Sequence, residues 1–294
     1  MPARVLLLGP EGQLGHEVRR AHARAKATFE LIPLDRGALD VAAPGAVERV
    51  LGGLSFDVLV NCAAFTAVDK AEDRAALAFA VNAHAVRAMA RVCAAKRARF
   101  VHVSTDYVFG GDRGRQLPLC EYDPVSPVNV YGASKAMGET LARLESDDVV
   151  ILRVASLFGT AGAGGRGGNF VETMIRAGNE KGTLRVVDDQ TMSPTAAADV
   201  AGVLAKLLAR GGEPGVYHVV NAGSATWCDF AREIVRRAAV PAAVVPCTSA
   251  EHPARAARPR YSALDNARVS AAFGAMPPWQ DALEGYLHAR ERRA

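Results

Sequence analysis

Tyr131 and Lys135 stand four residues apart in YGASKAMGE, a spacing that on a helix puts a phenol and an ammonium on one face, one turn apart. A free phenol has a pKa of about 10 and exchanges protons poorly at neutral pH unless a nearby cation stabilises its phenolate. Lys135 has the charge and the reach to be that cation. Upstream, the run FVHVS ends in Ser104, Thr105, Asp106 and Tyr107, so a hydroxyl and a carboxylate arrive together where a strand stops. The chemistry open to this set is reduction of a carbonyl. Hydride reaches the carbon, Tyr131 gives a proton to the oxygen, and Thr105 hydrogen-bonds the same oxygen. Read alone, YxxxK is also the pattern of an ordinary surface helix, so the rest of the chain has to supply the hydride donor.

Gly9, Gly12 and Gly15 form GPEGQLG between the strand-like RVLLL and the helix-like HEVRRAHA, which is the setting of a phosphate-binding turn. The first gap is one residue longer than in GxGxxG. The physical logic is unchanged: a tight turn, bare backbone beside a pyrophosphate, and a helix N-terminus facing negative charge. The next strand run closes on LDR, where Asp35 is placed to accept from an adenosine ribose and Arg36 to neutralise a 2′-phosphate. NADH and NADPH both remain open. In LVNCAAFTAVDKAE the strand run ends at Asn61, and the small Ala63 and Ala64 let the backbone pass close to a ligand at a strand's carboxyl end.

These groups need a scaffold that gathers strand ends along one edge. RVLLLG, FELIPLD, DVLVNCA, RFVHVS and DVVILRVAS alternate with alanine-rich helical patterns, which predicts an α/β fold with a Rossmann-type, doubly wound parallel sheet. The glycine-rich TAGAGGRGGNF at 160–170 reads as a mobile loop able to close over a ligand. TLRVVDDQ and GVYHVVN read as strands, and the chain beyond about 223 as mostly helical. The expected organisation is 1–156 plus 184–221 for the dinucleotide and 157–183 plus 222–294 for a smaller C-terminal substrate-binding lobe. In that lobe Trp227 reads as a core anchor, and Arg258, beside Pro259, as a guanidinium suited to a diphosphate. His102 and His218 lie inside strand runs and read as structural.

The chain has 294 residues, is half hydrophobic and carries a formal net charge of +4 with its charges scattered, which argues against a nucleic-acid or membrane-surface partner. Five cysteines lie far apart without a CxxC pair, favouring reduced thiols and a cytoplasmic location. No stretch approaches the roughly 20 apolar residues of a membrane span.

Taken together, GPEGQLG, NCAAFTAVDKAE, STDYVF, YGASKAMGE, RVASLFG, DDQTMSPT and ARPRYSAL resemble the extended short-chain dehydrogenase/reductases and, within them, the dTDP-4-dehydrorhamnose reductase family, over nearly the whole chain. The resemblance implies NADPH or NADH as hydride donor and the 4-keto group of a dTDP-linked 6-deoxyhexose as its target. It implies cofactor contacts at Glu11, Gly12, Gln13, Asp35, Asp40, Val41, Ala64, Phe65 and Thr66. It assigns Thr105, Tyr131 and Lys135 to catalysis, the latter two beside the cofactor, with Asp106 at the sugar. Ser156 stands where the family often has a tryptophan against the sugar, and Met192 where it usually has glycine. Ala198 replaces a glutamate that in some relatives holds an interface metal, so no metal and a monomer or weak homodimer are expected. A nucleotide-sugar epimerase or dehydratase, or a non-catalytic regulatory subunit, are the other readings of the same fold.

Overall fold

The computed structural model describes residues 2–24, 29–161 and 168–292. Six parallel strands form the main sheet in the spatial order Gly215–His218, Val149–Val154, Arg99–Thr105, Val58–Asn61, Ala3–Leu8, Phe29–Leu34. The chain steps outward from Ala3–Leu8 to Phe29–Leu34, then returns past its start to build the other side. The direction of winding therefore reverses beside Ala3–Leu8, and the crevice at that reversal is where a doubly wound sheet binds ligands.

Alternation along each strand explains the two layers. Val5 and Leu7 join Val101 and Leu152 against the Ala197–Arg210 helix, while Leu6 and Leu8 join Leu59, Phe100 and Ile151 against the Ala85–Lys96 helix. Each such fully buried aliphatic side chain contributes about 1.5–3 kcal/mol relative to exposure. A third core holds Phe158, Val171, Phe230, Trp279 and Tyr286 together. Trp227 opens the Trp227–Arg237 helix and packs on Phe170 with ring centroids 4.6 Å apart, the anchoring role expected of it.

Two expected boundaries shift. Thr183–Val187 pairs in parallel with Ala243–Cys247, outside the main sheet, and sends Leu184 and Val186 into the third core. By core membership the return to the first unit begins at the Ala197–Arg210 helix, not at 184. Conversely, Val269, Phe273 and Met276, expected in the lobe, pack in the main sheet's core, with Phe273 5.7 Å from Tyr217. Apolar runs cannot declare which of two cores they join. The run at 160–170 read as a mobile loop falls largely outside the described residues.

A π-helical turn, Ala80–His84, interrupts the helical segment between Ala75–Phe79 and Ala85–Lys96 and turns Asn82 inward. Its backbone passes so close to the Val130–Glu145 helix that a Cβ at Gly138 would lie 2.1 Å from the Asn82 carbonyl oxygen. Gly138→Ala is expected to cost about 1–3 kcal/mol by overpacking. In urea unfolding this would lower the midpoint at an unchanged slope.

Candidate active site

A cavity of about 680 Å³ opens at the winding reversal, along the carboxyl ends of the strands. One end is the glycine turn. Gly9 holds φ +70°, and a Cβ on Gly15 would lie 2.1 Å from the Gly9 oxygen, so both are needed for the turn to close on the Gln13–Arg24 helix. Gly12 differs: its Cβ position meets nothing nearer than 3.5 Å, leaving bare backbone along the cavity at the positive end of that helix. Gln13 Oε1 is buried there with no hydrogen-bond donor among the described residues. Bare amides, a helix terminus and an unpaired acceptor fit a dinucleotide phosphate and amide-bearing ligand. Asp35 lines the same end and accepts from Ala38 N at 2.8 Å, while the exposed Arg36 reaches Asp40 at 3.1 Å. The Ala42 N–H holds the Asp40 carboxyl below its usual range.

The middle of the cavity is the loop after Val58–Asn61. Asn61 Oδ1 accepts from Ala63 N at 3.0 Å. Asn82, delivered by the π turn, grips the backbone of Phe65 at both groups: Phe65 N donates to Oδ1 at 2.8 Å and Nδ2 donates to Phe65 O at 3.0 Å. Asn82 Nδ2 also reaches Ser134 Oγ at 3.0 Å, tying this loop to the helix that carries Tyr131. Sequence reading did not single out Asn82, because a π turn has no local signature in an alanine-rich helix.

The other end gathers Thr105, Asp106, Tyr131, Lys135 and Ser156. Asn129 caps the Val130–Glu145 helix, accepting from Gly132 N at 2.7 Å, and so fixes where Tyr131 begins it. Thr105 Oγ1 donates to Asp106 Oδ1 at 3.0 Å, and Ser262 Oγ donates to Asp106 Oδ2 at 2.6 Å. Burial pushes the Asp106 carboxyl up to about 6 against those two donors. Burial also pushes the Tyr131 phenol up to about 12, with a hydrogen bond to Thr105 opposing it. The expected lowering of that phenol by Lys135 is not what the side chains do. Lys135 Nζ donates to Val103 O at 2.6 Å and meets His102 Nε2 at 3.2 Å, and burial drives it down to about 8. The arrangement offers a protonated phenol, a neighbouring hydroxyl and a lysine poised near neutrality, which is equipment for delivering a proton.

Two substrate expectations come out differently. Ser156 lines the cavity, and its backbone is left-handed at φ +43°, a rare conformation for a residue with a Cβ. Arg258 is not among the lining residues. Its guanidinium pairs with Asp69 at 2.8 Å and donates to Ala256 O at 3.0 Å. Of the residues sequence reading placed at this site, the cavity brings together the turn glycines, Glu11, Gln13, Asp35, Arg36, Asp40, Val41, Ala63, Ala64, Phe65, Thr66, Thr105, Asp106, Tyr131, Lys135 and Ser156.

The family described as RmlD substrate binding domain matches residues 3–292. The chain belongs to this family. It is similar to a Streptomyces griseus dTDP-4-dehydrorhamnose reductase, at 42% identity over 95% of this chain and 91% of that one. It is also 37% identical to the Bacillus subtilis spore coat polysaccharide biosynthesis protein SpsK, over 98% of each. A crystal structure of a Bacillus anthracis dTDP-4-dehydrorhamnose reductase in complex with NADP superposes with a TM-score of 0.90 at 35% identity, covering 98% of this chain and 100% of that one.

Within this RmlD family member, the buried Asp106 links stability to pH. Its carboxyl, ordinarily at 3.8, stands at about 6 in the fold, so the native state binds the proton more tightly. That contribution is complete below the unfolded value and is lost as pH rises through the folded one. Asp106→Asn removes the titration. Relative to wild type, the variant is expected to gain about 2.4 kcal/mol between pH 4 and pH 8, measured by urea unfolding at both. Asn82→Ala frees the Phe65 loop and is expected to weaken NADPH binding about tenfold, checked by calorimetric titration.

Proposed function

We propose that this protein reduces the 4-keto group of a dTDP-linked 6-deoxyhexose, converting dTDP-4-dehydrorhamnose to dTDP-L-rhamnose or making a closely related deoxysugar, with NADPH or NADH as donor. The observation that carries the reading is one cavity with a phosphate-type glycine turn at one end and Thr105, Tyr131 and Lys135 at the other. The nicotinamide supplies hydride to the carbonyl carbon when bound. Gly12, Gln13 and the start of the Gln13–Arg24 helix are the groups placed to hold the pyrophosphate, and Asp35 the adenosine ribose. The NADP of the Bacillus anthracis relative favours NADPH, and Arg36, which only an exposed ion pair restrains, is free to turn toward a 2′-phosphate.

The chain's own part is proton management. Burial keeps the phenol of Tyr131 protonated, so it enters the reaction as a donor. Its proton passes to the ketone oxygen as that oxygen gains charge, and Thr105 is positioned to donate a second hydrogen bond there. To do so Thr105 must turn its hydroxyl away from Asp106, whose value near 6 leaves it partly protonated and able to return a hydrogen bond. We place the substrate at the Thr105, Asp106 and Ser156 end, with the third core forming the lobe that covers it. Arg258 acts there indirectly, by holding its segment to Asp69. A cytoplasmic location fits the five free cysteines, and a monomer or weak homodimer remains the proposed assembly.

With freshly generated dTDP-4-keto-6-deoxy-L-mannose, loss of the reduced-cofactor absorbance should follow addition of the protein. Tyr131→Phe should lower kcat by about 10²–10⁴. No cofactor oxidation with any 4-keto sugar nucleotide would overturn the reductase reading, and undiminished activity of the variant would overturn the proton donor.

A further inference from the structure

Asn61 and His102 are register partners on adjacent parallel strands, so their side chains leave the sheet side by side, and both are buried. The Asn61 amide has one satisfactory orientation. Its Oδ1 accepts from Ala63 N–H, and turning the amide over would set its NH₂ against that N–H, two donors facing in a buried site. Nδ2 is therefore the group that faces His102 Nδ1 at 3.1 Å, and Nδ1 must be the bare, accepting nitrogen. Burial pushes the imidazole well below its ordinary pKa, so it is neutral. A neutral ring with a bare Nδ1 carries its proton on Nε2. Stacking of His102 on Phe100, centroids 5.9 Å apart, keeps the ring in this plane.

Nε2 lies 3.2 Å from Lys135 Nζ. An ammonium has donors only, and would meet Nε2–H donor to donor. A neutral amine has a lone pair: it accepts from Nε2–H and still donates to Val103 O at 2.6 Å. We propose that His102, oriented by Asn61, is a positioning residue that sets the protonation state of Lys135, holding it as the neutral amine until a ligand places acceptors beside Nζ. On binding, one proton then passes from solvent to Nζ, and the cation that assists Tyr131 is formed only in the loaded site. The assignment rests on the cofactor reading above.

The other charged and titratable groups around Lys135 do not remove the conflict. Glu139 on its own helix and Cys62 on the loop favour the ammonium, but the Glu139 carboxylate is already shared by Arg153 at 2.7 Å and by Ser104. Asp106 is occupied by Thr105 and Ser262. Burial lowers the lysine to about 8, in the direction of the amine that the geometry calls for.

The test needs no substrate. Protein labelled with ¹⁵N-histidine, with His102 assigned by loss of its signals in His102→Gln, should show the Nε2–H tautomer across neutral and alkaline pH. NADPH binding at pH 9, titrated calorimetrically in buffers of different ionisation enthalpy, should take up close to one proton. Asn61→Asp keeps an acceptor for Ala63 N and offers a second to Nδ1–H. It should switch the ring to Nδ1–H, let Nε2 accept from the ammonium, and abolish the uptake. His102→Gln, whose carbonyl can accept from Nζ, should also abolish it. An Nδ1–H tautomer in the wild type, or uptake unchanged in Asn61→Asp, overturns the assignment. Uptake by a protein that reduces no 4-keto sugar supports the assignment and overturns the reductase reading instead.

Discussion

The structure depends on a row of polar side chains that the main sheet carries inside the protein. Asn61 pairs in register with His102, and Ser104 with Arg153, which in turn pairs with His218. All five are buried. A buried polar group without a partner costs about 1–3 kcal/mol, and an unpaired buried charge more. The partners come from the Val130–Glu145 helix, with Lys135 meeting His102 and Glu139 meeting both Ser104 and Arg153. That helix is consequently held in one position, and Tyr131 at its start is held with it. The His218 ring completes the row by bonding Arg153 and the Leu119 carbonyl.

The same site is closed from the other side by a short stretch of the C-terminal half. Ala256 N donates to Asp69, Arg258 pairs with Asp69, Asn129 Nδ2 donates to Ala257 O, and Ser262 donates to Asp106. These bonds bring the Val68–Asp73 helix, the cap of the Tyr131 helix and Asp106 in the cavity under one segment. Arg258 thus matters for where this segment lies. Asn82 does the equivalent work for the loop along the middle of the cavity. The site is assembled by backbone and amide clamps around a few reactive groups.

Burial pushes the reactive groups toward their neutral forms. Tyr131 is raised to about 12, Asp106 to about 6, and Lys135 is lowered to about 8. Each shift follows from removing a charge from water where compensation is partial. A site in this condition holds its protons until a charged or polar ligand changes the local balance, which suits a reaction whose proton transfer must accompany hydride transfer.

From the sequence alone, the glycine turn, Asp35, the STDY strand end and the Tyr131–Lys135 pair were readable because each is a local pattern whose chemistry depends on spacing within a few residues. The parallel sheet was readable for the same reason, from apolar runs alternating with helical ones. Position in space was not. The Asn61–His102–Lys135 chain joins residues from two strands and a helix, and nothing local marks His102 as more than a strand histidine. Nor does anything local to ARPRYS announce that Arg258 pairs with Asp69, a residue far back in the chain. Leu184 and Val186 entered the third core, and Phe273 the first, because hydrophobic burial is non-directional and only packing decides which core an apolar run joins. The sequence determined which reactive groups the protein has. The tertiary structure decided their protonation and their partners, since both depend on neighbours brought together from distant parts of the chain.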